Sequence, residues 1–309
     1  MTEQIKFYHS NLVDALYYFE YHGPLYKHIK WIERDKNVVD LYKIIKDVKI
    51  SKIKFFLPWA RNIAVSKEIE SPEKLAKEII ENPPKGKFAE NWVAEADKTR
   101  DILVEIYNLY NNNKELKNKQ EKLKDLLSNI EKKYSDELSK LKEESLKIPE
   151  LSWKRKEPKI CLVFPIDGRL THKLKFSDTV YIEASEEILN DETTFYHPII
   201  KMLNYTKPIG AWVKQDKRGI RAIAYELFTE LQTIKMVGQL YNKKPNFHSI
   251  VTNKLYSLWI PFIRPNTTFD DDELERILSN AYKIITKKEY DSMYQMGVIY
   301  TELNIILLT

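Results

Sequence analysis

Two residues in the second half of the chain have the spacing of a zinc-binding pair on a helix, and one of them is a histidine. His197 and Lys201 are four positions apart in a segment predicted to be a helix over Thr193–Asn204, which would place both side chains on one helical face. Two histidines at these positions would share a zinc ion, and a glutamate directly after the first would be the base that activates water. In this chain Pro198 stands at the position of that glutamate, and a lysine stands at the position of the second histidine.

A second pair of chemically capable residues follows on the next predicted helix, Arg218–Tyr241. Glu226 and Glu230 are again four positions apart, so they too would share one helical face. The β-branched run Thr179–Ala184 precedes both helices and predicts a strand. The order along the chain is therefore a strand, a helix with a histidine, and a helix with two carboxylates.

This order resembles the active region of a zincin metallopeptidase, over about residues 159–245. The segment Phe195–Asn204 is similar to the helix that carries the zinc-binding motif in that family. In the gluzincin branch a glutamate on a following helix is the third zinc ligand, and Glu226 and Glu230 both stand within a plausible distance along the chain. The resemblance implies a metallopeptidase-like scaffold for the C-terminal part of the chain.

The departures from the family motif imply that the site is vestigial and inactive. Pro198 cannot act as a base, and Lys201 must lose a proton before it can bind a metal. The residues that would mark the vestigial site are His197, Lys201, Glu226 and Glu230. Of these, His197, Glu226 and Glu230 would remain as metal ligands, but one histidine with a glutamate does not hold catalytic zinc tightly. We therefore expect no cofactor, no peptidase activity, and a former cleft that binds a peptide or a protein.

The same residues also have plainer interpretations. His197 fits an ordinary amphipathic helix, and Glu226 and Glu230 fit the solvated flanks of the apolar stripe on their helix. A buried arrangement would have a different meaning, because buried charges need partners. If both glutamates were buried near His197 or Lys201, an ion pair would replace the metal.

Composition sets the class of protein. The 309 residues are 43% hydrophobic and 31% charged, which is typical of a soluble globular protein long enough for two domains. The bias towards lysine, glutamate, isoleucine and tyrosine fits the charged surface of a thermophile's protein and fits an AT-rich genome equally well.

The single cysteine, Cys161, excludes an intramolecular disulfide and cysteine-based zinc sites. The N-terminus has no secretory signal pattern, so we expect a cytoplasmic protein that does not enter a membrane.

A long segment without proline or glycine, from about Asn91 to Lys147, predicts helix throughout. A seam with heptad spacing runs along it, and two of its positions, Asn113 and Gln120, are polar. Its members are Ile102, Ile106, Leu109, Asn113, Leu116, Gln120, Leu123, Leu127, Ile130 and Tyr134. The run Asn111–Asn113 is a plausible break, so an antiparallel hairpin and a single coiled-coil rod both remain open. A coiled-coil arm over residues 96–150 would serve homodimerisation or partner binding.

Nucleic-acid binding is the alternative from another functional class. The segment Trp153–Lys159 is basic, Lys114–Lys124 is rich in lysine, and aromatic residues make up 12% of the chain. Acidic residues are interleaved throughout, and the net charge is only +5. Mixed charge of this kind is more typical of a solvated surface than of a nucleic-acid interface.

These patterns together predict a mainly α (α+β) fold. We expect a helical region over residues 1–95, a helical hairpin or coiled-coil arm over 96–150, and an α+β domain with a small sheet over 151–309. Within the first region, the β-branched and aromatic run Ile50–Leu57 predicts a strand that Pro58 ends. Ser71 before Pro72 predicts a helix start.

Overall fold

The structure is a computed structural model, and most of the chain is described by it. The described residues are 7–24, 34–47, 53–83, 87–146, 159–163, 172–173, 179–204, 207–215, 220–245, 271–287 and 291–308. Within these ranges there are thirteen helices and four strands. The mainly helical α+β class that the sequence predicts is therefore confirmed.

The chain divides into two compact units. Unit 1 comprises Met1–Asp136 and Glu157–Asn190, and unit 2 comprises Glu137–Lys156 and Asp191–Thr309. Both units are built from two stretches of chain, whereas the division expected from the sequence was strictly sequential. That three-part division, at residues 95 and 150, stays a prediction.

Unit 1 contains a small, mostly parallel sheet. Its strands are β1 Phe7–Tyr8, β2 Lys159–Val163, β3 His172–Lys173 and β4 Thr179–Glu183. Their order is β1-β2-β4-β3, with the first three parallel and β3 antiparallel to β4. Strand β4 is buried along its whole length and β2 nearly so, as expected for parallel strands with apolar sequences. Strand β4 lies within the run Thr179–Ala184 that the sequence predicted to be a strand.

Helices make up the rest of unit 1. They are α1 Asn11–His22, α2 Lys36–Asp47, α3 Ile53–Lys67, α4 Pro72–Glu81, α5 Lys87–Ala94, α6 Ala96–Asn112, the first part of α7 Lys114–Leu146, and α8 Glu186–Asn190. The predicted start of α4 is confirmed, because the side chain of Ser71 accepts a hydrogen bond from the backbone N–H of Lys74. The core of the unit lies between these helices and the sheet, and it includes Cys161, whose burial raises the pKa of its thiol.

The predicted strand at Ile50–Leu57 is wrong where the structure describes it. Residues 53–57 form the first part of α3, which continues through Pro58. Leu57, Ala60 and Ala64 are buried on one face of this helix. Packing of that face has overridden both the β propensity of the run and the hydrogen bond that proline removes.

The predicted break in the long helical segment is confirmed. Helix α6 ends at Asn112 and α7 begins at Lys114, with Asn113 between them. The side-chain oxygen of Asn113 accepts from the backbone N–H groups of Glu115 and Leu116, at 3.0 and 3.3 Å. Along α7 the seam residues Leu116, Ile130 and Tyr134 are buried within the chain itself, whereas the seam residues Leu123 and Leu127 are half-buried. Leu138 and Leu141, further along the helix, are also buried.

An ion pair lies in the core of unit 1. Arg61 of α3 approaches Glu20 of α1 at 3.0 Å, and both side chains are almost completely buried. The guanidinium lies 4.9 Å from the ring centroid of Tyr17 and 4.7 Å from that of Tyr181. Tyr17 in turn donates a hydrogen bond to Glu183, at 2.8 Å. This cluster connects α1, α3 and β4 through charge and aromatic contact.

Breaking this pair should strongly destabilise the protein. Arg61→Met leaves the Glu20 carboxylate buried beside a side chain with no charge, and we expect a loss of about 3–5 kcal/mol in the free energy of unfolding. Arg61→Met with Glu20→Leu should recover much of that loss. Denaturant titration would measure both, with the exposed Arg100→Met as the control. If Arg61→Met were as stable as the parent, the stabilising role of the Arg61–Glu20 pair would be contradicted.

Unit 2 is helical in its described residues. Its helices are the end of α7, α9 Glu192–Asn204, α10 Lys207–Lys214, α11 Ile220–Tyr241, α12 Asp271–Ile285 and α13 Ser292–Leu308. Helix α11 packs against α9, α10, α12 and α13 and is the centre of the unit. Among the described residues, no helix has both the length and the apolar character needed to cross a membrane.

Candidate functional site

Helix α9 presents the first two candidate residues. It begins after Asp191, whose carboxylate accepts hydrogen bonds from the backbone N–H of Thr193 at 3.0 Å and from the Thr194 hydroxyl at 2.6 Å. Pro198 lies inside the helix and is buried, so one turn lacks a backbone donor, yet the helix continues to Asn204. His197 and Lys201 therefore lie one turn apart on one side of α9, as predicted.

Helix α11 presents the two glutamates towards α9. Its predicted apolar stripe, which includes Leu227 and Leu231, is buried. The side chains of Glu226 and Glu230 are only 24% and 12% exposed. Both carboxylates contact α9 instead of projecting into solvent.

The four candidate side chains form one continuous series of contacts. Lys201 Nζ lies 2.5 and 2.7 Å from the two carboxylate oxygens of Glu226. His197 Nε2 lies 3.8 Å from Glu226 Oε2, and His197 Nδ1 lies 3.2 Å from Glu230 Oε1. We call the series Lys201–Glu226–His197–Glu230 the charge chain, because positive and negative groups alternate along it.

The pKa values of His197 and Glu226 favour the ionised forms of both side chains. Burial alone would lower the pKa of His197, but the carboxylates of Glu230 and Glu226 raise it to about 9. Burial alone would raise the pKa of Glu226, but the Lys201 ammonium and the His197 ring lower it to about 2. At neutral pH the imidazole is therefore an imidazolium, which carries a proton on each ring nitrogen.

The donor geometry does not fit a zinc ion. Zinc needs its ligand atoms to converge on one point about 2.0–2.2 Å from each. Here Glu226 faces one ring nitrogen of His197 and Glu230 faces the other. An ion on either nitrogen would reach only one of the two glutamates. Within the described part of the chain, no group of three or more His, Cys, Asp or Glu side chains is arranged to hold a metal.

Tyr225 supports the site, and sequence reasoning did not identify it. Its hydroxyl donates a hydrogen bond to the backbone carbonyl of Lys201, at 2.8 Å. Because Tyr225 precedes Glu226 on α11, this bond fixes the two helices at the level of the lysine–glutamate contact. The only signal in the sequence was a tyrosine directly beside a candidate residue.

Comparisons with known proteins assign neither a family nor a function to the chain. No model of a known protein family matches it, no curated protein matches it, and no solved structure matches it. Function must therefore be inferred from the side chains themselves.

The stability of the protein should depend on pH through His197. The folded-state pKa of His197 is about 9, and its ordinary value is 6.5. Its stabilising contribution is therefore complete below about pH 6.5 and is lost as the pH rises through 9. The difference in free energy of unfolding between the parent and His197→Gln should shrink over that range. Urea titration would measure it, and a constant difference would contradict an ionised His197.

Lys201 should stabilise the folded protein, because it neutralises a carboxylate that is mostly removed from water. We expect Lys201→Met to lower the free energy of unfolding by about 1 kcal/mol or more. Lys214→Met is the matched control, since Lys214 is exposed on α10. Equal stability of the two variants in denaturant titrations would argue against the charge chain.

Proposed function

We propose that the protein is a non-catalytic, cytosolic binding protein on a degenerate metallopeptidase-like scaffold, and that the charge chain stands where that family has its metal. The observation that carries the proposal is the convergence of His197, Lys201, Glu226 and Glu230. They occupy the positions that the zincin resemblance selected, yet their contacts are those of ion pairs. Lys201 and His197 supply the positive charge that a metal ion would supply.

The chemistry of the charge chain supports the absence of catalysis. The His197 imidazolium holds a proton at neutral pH, so it is neither a metal ligand nor a ready base. Glu226 is ionised and is contacted by two cations. Pro198, at the position of the family's base, has no titratable group. His197, Glu226 and Pro198 are therefore poorly suited to activating water for attack on a peptide bond.

The ligand that we propose for this face is a peptide or a protein segment. The Lys201 and Glu226 side chains remain 28% and 24% exposed, so part of the charge chain is accessible. An ammonium and a carboxylate side by side can recognise a donor and an acceptor of an extended backbone or of a charged side chain. The Lys201–Glu226 pair would bind a peptide without cleaving it.

Restoring a histidine at the second motif position tests the scaffold. Lys201→His removes the ammonium and places a second imidazole one turn from His197, beside Glu226. We expect this variant to bind zinc much more tightly than the parent, whereas Lys201→Gln should not. Metal analysis of purified protein and zinc titration would measure this. Stoichiometric zinc in the parent, or no gain in Lys201→His, would contradict the proposal.

Peptide binding can be tested separately. A displayed peptide library would be selected on the parent and counter-selected on Lys201→Met with Glu226→Gln, which removes one charge of each sign. We expect the selected peptides to bind the parent at least ten-fold more tightly than the double variant, about 1.4 kcal/mol. Equal affinities, or cleavage of the selected peptides by the parent, would contradict the proposed function.

Helix α7 is a less suitable surface for partner binding than the exposed part of the charge chain at Lys201 and Glu226. The seam residues Leu116, Ile130 and Tyr134 of α7 are buried within the chain. A homodimer through residues 96–150 would therefore have to use mainly the outer face of α7. That face alternates lysine with glutamate, as in the pair Lys119–Glu115 at 2.8 Å. Such a surface offers little to a second copy or to nucleic acid. The rest of the basic segment, residues 153–158, lies outside the described residues.

A further inference from the structure

A second polar cluster lies in unit 2, near the charge chain but distinct from it. Glu137 of α7 accepts a hydrogen bond from Tyr241, the last residue of α11, and another from Tyr196 of α9, at 3.2 Å. The two hydroxyl oxygens lie 3.4 Å from each other. Three helices therefore meet at one carboxylate.

The tyrosines of this cluster remain protonated donors. Burial, and then contact with the other hydroxyl and with Glu137, raises the pKa of Tyr196. Burial and Glu137 likewise raise the pKa of Tyr241. The carboxylate is the acceptor that both hydroxyls share, and it lies on a helix other than α9 and α11. The Tyr196 ring is fully buried, so its position is determined by this packing.

The cluster is directly linked to the charge chain through the backbone. Tyr196 and His197 are consecutive residues of α9, so their side chains are about 100° apart around the helix axis. Fixing one side chain fixes the rotation of the helix and hence the direction of the other. A small rotation of α9 would move the His197 ring away from Glu226 and Glu230, which contact its two nitrogens.

We propose that Glu137 is a positioning residue, which holds α9 through the hydroxyls of Tyr196 and Tyr241 at the rotation that directs His197 towards α11. This inference rests on the role proposed above for the charge chain. The C-terminal part of α7, which carries Glu137, would then determine the orientation of His197 in the charge chain. A change in the position of this part of α7 would alter the ionisation of His197 and the peptide-binding face together.

The test measures the pKa of His197 by NMR titration of the parent, Glu137→Gln and Tyr196→Phe. We expect it to fall by roughly one unit or more in both variants, with helical content unchanged. Tyr196→Phe removes one oxygen and no charge, so it separates positioning from the charge of Glu137 itself. Glu143→Gln is the control, because Glu143 is exposed on the same helix, and the pKa of His197 should not change.

The outcomes distinguish this inference from the proposed function. An unchanged pKa of His197 in both variants would overturn the positioning role, and so would a fall in Glu137→Gln alone, since that would be a direct charge effect. An ordinary pKa for His197 in the parent would instead overturn the charge chain, and with it the proposed function. A raised value in the parent that falls in both variants would support the inference.

Discussion

The contact between α9 and α11 is the constraint on which the site depends. Each helix brings two ionisable side chains into a region with little water, and neither pair is stable there alone. Interleaving the pairs gives Glu226 a cation on each side and gives His197 an anion on each side. Because α11 is also the helix against which α10, α12 and α13 pack, the register that the charges impose on α9 and α11 affects the whole unit.

The Arg61–Glu20 pair and the charge chain have different physical roles. Arg61 and Glu20 are completely enclosed between helices and aromatic rings, so their contact can only be structural. The charge chain is partly open to solvent at Lys201 and Glu226. Partial exposure lowers the energetic value of each contact, but it leaves charged groups where a ligand can reach them.

Local signals in the sequence were sufficient for several features of the fold. The cap at Ser71, the break at Asn113, and the spacing that placed His197 with Lys201 each depend on residues within a few positions of one another. The run Ile50–Leu57 was mispredicted, because its propensity for extended structure was overridden by the packing of α3. Propensity is a weak determinant when one face of a segment can be buried in a core.

Long-range contacts were predictable only where a motif selected the residues beforehand. Glu226 and Glu230 were identified from their distance along the chain, but their pairing with His197 was only one of the alternatives. The Arg61 cluster was not foreseen, since its members come from separate elements with no common period. An arginine in the middle of the apolar sequence of α3 was the one available signal. Glu137 has an equally ordinary sequence context, and only the meeting of three helices distinguishes it.

The alternation of charges along Lys201, Glu226, His197 and Glu230 also bears on how a partner would approach. Two positive and two negative groups at close range have no net charge, so their fields largely cancel beyond a Debye length of about 8–10 Å. A charged partner would not be steered to this site from a distance, and its rate of association would depend little on ionic strength. Recognition would then operate only at contact, through hydrogen bonds and the shape of the helix surfaces. A metal ion in the same place would instead be a concentrated positive charge, which would attract a negatively charged partner from a distance.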